Sequence, residues 1–530
     1  MNELSLKIYG GLGEVGMNSM LLTFQDHKVL IDCGLMYSNQ PHWGFDVVLP
    51  DYSDLRNTKI NTLLITHAHE DHLGGLPYLL RDVEVEKIFC TQFSHELIKQ
   101  KLNQYEYSQT KIEIMDYLDF VEDGPFTYRF MKNTHSIVES SMIEIQSPLG
   151  NILHSGDFKI DHKNYADENF SDTTIQNMKS PLLFLSDSTN AEKPGWSRSE
   201  SEVYGALKSL VESNQSKQIF ITFFASNLHR LKMLWDISRD LERPLVLVGR
   251  SLWKFFDMAI RTGYLHTGND RPLYPEEVEG IENAIYACTG SQGDYNASIG
   301  KILRDEYSYV KMQKGDIFIH SALKIPGNEL NIRYMLNQIS MKEVQIIHDP
   351  AVHASGHAYS EEQAWMLEKL QPQYFVPIHG DDIMLRNHLQ TMHRVCKSSE
   401  GIILKDGDTL VVKENGYELL QPSEPPRKRG ARGKYTFYLD AKEFKDRKKM
   451  ARNGLLICFA HLDGQRLLAP PTLDFVGYEV ARSDLETLAK DVELAIQSAK
   501  ISKDQIESFL KKQAMNYLGW KPNVRLYLDA

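Results

Sequence analysis

The stretch from Leu63 to Gly75 reads LLITHAHEDHLGG, an apolar run followed by a loop rich in histidine and carboxylate. Four potential metal ligands lie within six positions of this loop: His67, His69, Asp71 and His72. Neutral imidazole and carboxylate are the donors that zinc and similar divalent metals prefer. A lone histidine is more often a core or surface residue, but a group this dense favours a metal site where a strand ends.

One loop cannot easily surround two ions, so further ligands must come from elsewhere in the chain. Three other segments carry a histidine or an aspartate where a predicted strand ends or a loop begins, and they contribute His135, Asp157 and His379. In α/β proteins, functional sites lie at the edge of the sheet where neighbouring strands end. We therefore expect these three residues to converge with the loop that contains residues 67–72.

The H-x-H-x-D-H spacing and the three further positions resemble the metallo-β-lactamase superfamily. This resemblance implies two divalent metal ions, with zinc expected and manganese or magnesium as alternatives. By the same resemblance, one ion takes His67, His69 and His135, the other takes Asp71, His72 and His379, and Asp157 bridges them. Glu70 is left over, and we expect it to be a solvated carboxylate or one that orients a ligand.

Further motifs along the chain narrow the resemblance. They are SDSTNA from Ser186, FASNLHR from Phe224, CTGSQG from Cys288, HASGH from His353 and PIHG from Pro377. Their order and spacing are similar to those of ribonuclease J, a β-CASP nuclease family, over nearly the whole chain. The resemblance implies an α/β fold: a metallo-β-lactamase αββα sandwich with an inserted β-CASP domain, followed by a small α+β C-terminal domain that self-associates.

The expected domain boundaries combine this resemblance with composition. They are 1–195 and 359–420 for the two parts of the metallo-β-lactamase domain, 196–358 for the β-CASP domain, 421–435 for a linker and 436–530 for the C-terminal domain. The linker is predicted because that segment combines prolines and glycines with a basic cluster and lacks apolar periodicity. The family plan also implies a homodimer or a homotetramer.

The resemblance also assigns residues that act on the substrate. The RNA-binding residues would be Ser226, Asn227, His353, Ala354, Ser355, Gly356 and His357. A serine hydroxyl, a glycine N–H and imidazoles also suit a phosphate on physical grounds. Asp187 and His357 would be catalytic, with His357 in proton transfer and Asp187 as a proton donor or an orienting group. The structural alternatives are a helix cap at Ser226 and Asn227, and a turn at Asp187.

The function implied by the resemblance is a zinc-dependent ribonuclease. It would hydrolyse phosphodiesters from the 5′ end, favour 5′-monophosphate RNA, also cleave internally, and serve mRNA decay and rRNA processing. Two alternatives stay open: a DNA or small-ester hydrolase on the same metal core, and a non-catalytic RNA-binding subunit. The long insertion between Asp157 and His379 exceeds what an ester hydrolase needs, and the filled ligand positions argue against a non-catalytic subunit.

A competing motif lies near the start of the chain. Residues Gly11 to Gly16 fit G-x-G-x-x-G, and Asp32 follows at a distance suited to a ribose contact. A dinucleotide site requires a helix directly after Gly16, whereas the residues that follow predict a hairpin with strands at 20–24 and 28–32. We therefore interpret the glycines as a turn that brings backbone close to the metal cleft.

The composition is that of a globular protein, with 530 residues, 42% of them hydrophobic and 25% charged. The absence of a membrane-length apolar run and of a secretory signal predicts a cytoplasmic protein without a membrane partner. The five cysteines are scattered and indicate neither disulfides nor a thiolate zinc site. Calcium occurs in some members of the family, and the candidates for such a site are Asp46 and Asp406.

Charge is unevenly distributed along the chain. The net charge is -12, yet residues 427–452 hold eleven lysines and arginines against three acidic residues. Any electrostatic attraction for nucleic acid must therefore be local. From charge alone, a solvated linker is the expected structure of this segment.

Overall fold

The structure is a computed structural model that describes residues 3–38, 44–102, 110–165, 169–325, 327–440, 442–463, 466–498 and 503–529. The chain forms two compact units. Unit 1 comprises Met1–Asn39 and Leu49–Pro426, and unit 2 comprises Gln40–Val48 and Arg427–Ala530. Within the described ranges, every helix is too short or too polar to cross a membrane.

The first part of the chain supplies most strands of two sheets. Its elements are β1 (Leu4–Gly10), β2 (Ser19–Phe24), β3 (His27–Ile31), β4 (Met36–Tyr37), β5 (Val47–Leu49), β6 (Lys59–Leu64), α1 (Glu70–Leu73), α2 (Leu76–Asp82), β7 (Glu84–Cys90), α3 (Gln92–Leu102), β8 (Lys111–Ile114), β9 (Phe120–Asp123), β10 (Phe126–Lys132), β11 (Ser141–Ser147), β12 (Gly150–His154), α4 (Asp172–Gln176) and β13 (Leu183–Asp187).

The middle of the chain alternates helices and strands before it returns to those sheets. Its elements are α5 (Glu200–Glu212), β14 (Ile219–Thr222), α6 (Leu228–Asp240), β15 (Leu245–Val248), α7 (Arg250–Arg261), β16 (Ile285–Cys288), α8 (Ser298–Leu303), β17 (Ile317–His320), α9 (Glu329–Met341), β18 (Gln345–Ile347), α10 (Ser360–Leu370), β19 (Tyr374–Ile378), α11 (Asp382–Val395), β20 (Glu400–Gly401), β21 (Thr409–Lys413) and β22 (Gly416–Leu420).

Two sheets form the sandwich of unit 1, with strand orders β22-β21-β1-β2-β3-β6-β7-β8 and β20-β19-β13-β12-β11-β10-β9. Their facing side chains form one buried cluster, to which Leu6 of β1 and Phe130 of β10 belong. Alternate residues of a strand point to opposite faces. The outer face of the first sheet accordingly buries Leu63 with α2 and α3, and that of the second buries Phe375 with α10 and α11. These layers confirm the predicted αββα sandwich.

The inserted elements form a separate sheet within unit 1. Its order is β15-β16-β14-β17-β18, and all four pairings are parallel. Parallel strands are buried on both faces and carry continuous apolar runs, as IFIT in β14 and LVLV in β15 do. One face packs on α8 and α9, and the other joins α5, α6 and α7. This is the β-CASP insertion that the resemblance implies.

The glycine-rich stretch at 11–16 leads into a strand and not into a helix. Residues after Gly16 enter β2, which pairs antiparallel with β3, so a dinucleotide fold is excluded as predicted. Gly13 donates its backbone N–H to the carbonyl of Gly380 at 3.0 Å. The turn therefore lies directly beside the segment that carries His379.

Unit 2 contains β23 (Arg429–Arg432), β24 (Tyr435–Tyr438), α12 (Lys442–Asn453), β25 (Leu455–Asp463), β26 (Arg466–Leu467), β27 (Thr472–Val476), α13 (Arg482–Ser498), α14 (Lys503–Leu518) and β28 (Asn523–Asp529). In its sheet, β25 pairs with β27 and β28, and α13 and α14 bury Leu456 and Cys458 on one face.

The structure differs in one respect from the linker predicted at residues 421–435. Residues 429–435 take part in the hairpin of β23 and β24 instead of an irregular connection. Gly433 has φ +56°, a value that a tight turn requires and that glycine accepts without strain. The hairpin pairs basic with aromatic residues, as in Arg432 with Tyr435, so no apolar alternation reveals it in the sequence.

A buried ionic network connects the inserted elements to the sandwich. Glu200, fully buried on α5, lies 3.4 Å from the Lys159 ammonium and 3.5 Å from the Arg230 guanidinium. Lys159 follows β12, whereas Arg230 is on α6 and donates to the carbonyl of Val352 at 2.7 Å. A buried charge is tolerated only when it is paired, so each member depends on the others.

We expect Arg230→Met to destabilise unit 1 by about 3 to 5 kcal/mol, because it leaves the carboxylate of Glu200 buried with one partner fewer. The measurement is the unfolding temperature by calorimetry. The control is Arg239→Met on the same helix, where the guanidinium is 52% exposed in its pair with Asp270. The control should shift stability by no more than about 0.5 kcal/mol, and equal shifts in both variants would contradict the network.

Candidate metal centre

The site is organised around one carboxylate oxygen, Oδ2 of Asp157. The Nε2 atoms of four histidines surround it: His72 at 3.3 Å, His379 at 3.5 Å, His67 at 3.6 Å and His135 at 3.7 Å. Asp157 is nearly fully buried. An oxygen close to so many imidazoles has the surroundings expected of the bridging ligand that the resemblance implies, and its role stays a prediction.

Two groups of potential ligands meet at Asp157. The first is His67, His69, His135 and Asp157, and the second is Asp71, His72, Asp157 and His379. Within each group, the ligand atoms lie within 4.8 Å of one another. The structure therefore brings together all seven residues that the sequence proposed as metal ligands, in the two sets that the resemblance implied; that they bind metal stays a prediction.

Strand ends position these side chains. β6 ends at Leu64 and β12 at His154, a few residues before His67 and Asp157, and β19 ends at Ile378, directly before His379. His379 has φ +54°, a left-handed conformation that is uncommon outside glycine and that turns the chain sharply after β19. The ligands therefore converge because the strands that carry them end at the same edge of the sandwich.

Hydrogen bonds at the far side of each ring fix the imidazoles. Asp32 accepts from Nδ1 of His72 at 2.7 Å, and its other oxygen accepts from the backbone N–H of Thr66 at 2.8 Å. Such partners orient a ligand and hold the tautomer that leaves the other nitrogen free for a metal. No motif in the sequence predicts this role of Asp32; its position after β3, which pairs with β6, is the signal that indicates it.

Two further rings, those of His135 and His379, are held from the other side of the site. Nδ1 of His135 donates to the carbonyl of Gly356 at 2.6 Å, and Nδ1 of His379 lies 2.5 Å from the hydroxyl of Thr189. A Cβ at position 356 would stand 2.7 Å from the His135 ring, so only glycine permits this approach. The HASGH segment thus supports a ligand directly.

The protonation of the site suits metal binding. Burial lowers the pKa of His69 to about 4 and also lowers the pKa of His67 and His135, so these imidazoles are neutral and keep a free lone pair. Burial alone would lower the pKa of His72 as well, but Asp157, Asp71 and Asp32 raise it to about 10. The carboxylates around His72 thus favour a positive charge at this position, and a cation bound there would displace the proton of His72.

A third group, Asp157, Asp187, His357 and His379, adjoins the other two. Oδ2 of Asp187 accepts from Nδ1 of His357 at 2.8 Å, while its Oδ1 accepts from the backbone N–H of Thr189 at 3.0 Å. Asp187 thus forms a turn, as the structural alternative predicts, and it also orients the ring of His357. Burial opposes protonation of His357, but Asp187 raises its pKa.

The residues proposed to bind RNA fall into two places. Ser355, Gly356 and His357 border the metal ligands, and the Ser355 hydroxyl accepts from Asn190 at 2.7 Å and from the N–H of His357 at 3.1 Å. Ala354 is buried within the core, and His353 packs near Arg230, where burial lowers its pKa to about 3. Of the HASGH segment, only Ser355, Gly356 and His357 therefore lie at the site.

Asn227 caps a helix, which is the structural alternative to RNA binding at this position. Its side-chain oxygen accepts from the backbone N–H of Arg230 at 2.9 Å and so begins α6. Ser226 precedes it and is half-buried. A contact of either residue with RNA stays a prediction.

Three acidic candidates among the described residues lie outside the ligand groups: Glu70, Asp46 and Asp406. Glu70 pairs with Lys101 at 2.7 Å, so its carboxylate is turned to a lysine and not to an imidazole. Asp406 accepts from the backbone N–H of Leu12 at 3.0 Å. Among the described residues, neither Asp406 nor Asp46 belongs to a group of potential ligands, so calcium gains no support here.

Comparison with known protein families shows three matches along the chain. The model described as "Metallo-beta-lactamase superfamily" matches residues 12–187, and "Ribonuclease J, beta-CASP domain" matches residues 216–339. The model described as "Zn-dependent metallo-hydrolase RNA specificity domain" matches residues 350–400. The first and third include the proposed ligands on either side of the insertion.

Curated relatives extend the similarity over most of the chain. Ribonuclease J 1 of Streptococcus pyogenes is 29% identical over 94% of this chain and 91% of its own length. Ribonuclease J of Mycoplasma pneumoniae is 31% identical over 71% of this chain and 68% of its own length. Some relatives are longer, and the chain spans 61% of a Helicobacter pylori ribonuclease J.

Among solved structures, a protein of unknown function from Enterococcus faecalis V583 aligns with 77% of this chain and 100% of its own, with a TM-score of 0.56 and 14% identity. At this identity the likeness concerns the fold alone. The fold and the donor set together fit divalent metal ions, because neutral imidazoles and carboxylates converge at one buried oxygen.

We expect Asp157→Asn to lower the content of both metal equivalents, because the amide cannot replace the bridging carboxylate. Metal content is measured by mass spectrometry after dialysis against a defined zinc buffer. Glu70→Gln is the matched control, since it makes the same change between His69 and Asp71, at a carboxylate that pairs with Lys101 and not with an imidazole. Normal metal content in Asp157→Asn, or equal losses in the two variants, would contradict the assignment.

Proposed function

The chain belongs to the ribonuclease J family, metallo-hydrolases that act on RNA, and from this we propose that it degrades RNA from the 5′ end, prefers a 5′ monophosphate and also cleaves internally. The metals proposed are two zinc ions. The observation that carries the proposal is the pair of ligand groups that share Asp157, with the Asp187–His357 pair beside them.

Divalent ions held by these ligands would supply the Lewis acidity that activates water and stabilises the oxygens of the reacting phosphate. The chain's own contribution is to hold the donors in place before substrate arrives. Asp71 is 30% exposed, whereas Asp157 is 3% exposed, so the site is open on the side of Asp71 and closed beneath Asp157. We infer that the scissile phosphate enters from the open side.

His357 is the residue best placed to donate a proton to the leaving oxygen. Asp187 binds Nδ1 of its ring at 2.8 Å and so leaves Nε2 as the nitrogen that can face a substrate. The side chain is 21% exposed, in contrast to the enclosed ligands. Asp187 acts through His357 and is a positioning residue in this proposal.

Ser355 and Gly356 complete the proposed phosphate contact. The Ser355 hydroxyl accepts two hydrogen bonds, and its own hydrogen stays available for a phosphate oxygen. Because the hydroxyl accepts a hydrogen bond from the backbone N–H of His357, it is also linked to the proposed acid. We propose that this segment recognises the 5′ phosphate.

RNA labelled at either end tests the direction of degradation. With zinc restored, we expect a 5′ label to appear as a mononucleotide while a 3′ label stays on long fragments, and internal cleavage to add discrete intermediates. Single-stranded DNA of the same sequence serves as the control for RNA specificity. Release of the 3′ label first would contradict the proposed polarity, and no cleavage of RNA by the metal-loaded protein would contradict the function.

We expect the double variant Ser355→Ala/His357→Ala to keep its metals and to degrade 5′-monophosphate RNA about a hundredfold or more slowly, because charged hydrogen bonds and an acid catalyst are both removed. Rates on monophosphate and triphosphate RNA are compared, with zinc quantified in each sample. His162→Ala, which removes an exposed imidazole paired with Asp172, is the control. A normal rate, or loss of metal in the double variant, would contradict these assignments.

We also propose that unit 2 mediates self-association as a homodimer or homotetramer. The helices cover one face of its sheet, and the opposite face exposes Phe459 and Tyr527, whose rings stack at 5.1 Å, together with Val476. Contiguous exposed apolar groups of this kind mark interaction surfaces. A second copy of the same face would bury them.

We expect Phe459→Asp/Tyr527→Asp to reduce the particle to the 60.9 kDa protomer, because charges on the open face oppose its burial. Light scattering coupled to chromatography gives the mass. Leu494→Asp is the control, since Leu494 is 63% exposed on α13 of the same unit. An unchanged mass in the double variant would contradict the role of this face.

A further inference from the structure

The basic segment of unit 2 has a folded structure that its composition does not predict. It comprises the strands β23 and β24 and the helix α12, and it holds eleven basic and three acidic residues between 427 and 452. In a chain of net charge -12, this segment concentrates positive charge on one small surface. The proposed ribonuclease site in unit 1 makes no use of these residues.

The hairpin places its aromatic and basic side chains on a common face. Arg432 is the direct cross-strand partner of Tyr435, and Gly430 is that of Phe437. Directly paired residues point to the same face, and residues two apart on one strand share it. A Cβ at Gly430 would stand 2.9 Å from the ring of Phe437, so the absence of a side chain there lets the ring lie over the backbone.

Helix α12 closes this face into a pocket of about 630 Å³, lined chiefly by Arg432, Tyr435, Phe437, Arg447 and Met450. The guanidinium of Arg447 lies 4.7 Å from the centre of the Phe437 ring and donates to the carbonyl of Gly44 at 3.3 Å. The pocket therefore combines aromatic surface with two arginines, and Tyr435 is 70% exposed at its rim.

Lysines extend the positive charge beyond the pocket. Lys442, Lys445, Lys448 and Lys449 of α12 are all exposed, and Lys434 lies 5.5 Å from the ring of Tyr435. Arginine pairs with phosphate through a planar fork, and lysine contributes a point charge. A ligand that fits the surface must carry several negative charges along its length and also a flat apolar group.

We propose that this pocket binds single-stranded RNA, with a nucleobase against Tyr435 and phosphates on Arg432 and Arg447. Aromatic platforms combined with a basic groove are the arrangement that proteins use for single strands, because each nucleotide offers a base and a phosphate. A duplex keeps its bases stacked inside and cannot place one in the pocket. The choice of RNA over DNA rests on the proposed function of the chain.

The test uses the full-length protein with Asp71→Asn in every sample, so that bound RNA is not cleaved. Affinity for an unstructured labelled RNA is measured by fluorescence anisotropy at several salt concentrations. Arg432→Glu/Arg447→Glu should weaken binding at least about tenfold at low salt, because two phosphate contacts are lost. Losing them should reduce the slope of log K against log salt by about 1.4, at about 0.7 for each contact to a single strand.

The matched control is Lys490→Glu/Lys512→Glu, which makes the same change in net charge at two exposed positions on α13 and α14. It should leave the salt slope within error of the parent. The proposal is overturned if the pocket variant binds RNA with unchanged affinity and slope, as it would if the pocket took an acidic peptide. It is equally overturned if the control loses as much affinity as the pocket variant.

A second measurement separates this inference from the proposed function. In proteins that retain Asp71, Arg432→Glu/Arg447→Glu should raise KM for long RNA and leave hydrolysis of a trinucleotide unchanged. Failure of the unmodified protein to hydrolyse either RNA would refute the proposed function. Unchanged KM for long RNA in the pocket variant, with hydrolysis intact in the unmodified protein, would refute only the pocket.

Discussion

The structure of unit 1 depends on one crowded contact, in which four imidazole nitrogens lie between 3.3 and 3.7 Å from Oδ2 of Asp157. A buried carboxylate is costly unless positive charge or hydrogen bonds compensate it. The four imidazoles come from the loop after β6, from α1 and from the residues that follow β10 and β19, so strands from both sheets of the sandwich must end together. The site can therefore form only where strands of both sheets end at the same edge of the sandwich.

The supports of the imidazoles tie the site to distant parts of the chain. Asp32 at the end of β3 holds His72, the carbonyl of Gly356 holds His135, and Thr189 is bonded to His379. Each support removes a rotational freedom that metal binding would otherwise have to fix. A displacement of the inserted elements would consequently misalign a ligand, even though the insertion contributes none of the ligands itself.

The sequence predicted what is local or follows a known motif, and it failed where partners are remote. The density of potential ligands in the loop at 67–72 indicates a metal site, whereas the assignment of Asp71 and His379, 308 residues apart, to the same ion comes only from the family resemblance. Asp32 fits the glycine motif by its spacing, and the sequence does not reveal its hydrogen bond to His72. The sequence predicts a linker where the basic hairpin begins, because the pairs that stabilise the hairpin join arginine to aromatic rings across strands and leave no apolar alternation.

The segment 353–357 is where the insertion and the metal centre become one structure. Its contacts are Arg230 with Val352 just before it, Asn190 with Ser355, His135 with Gly356, and Asp187 with His357. A buried guanidinium therefore fixes one end of a short stretch whose other end touches a ligand and the proposed acid. The residues proposed to contact the phosphate are therefore hydrogen-bonded to His135, a proposed metal ligand, and to Asp187, so a shift of this stretch would disturb both parts of the proposed site.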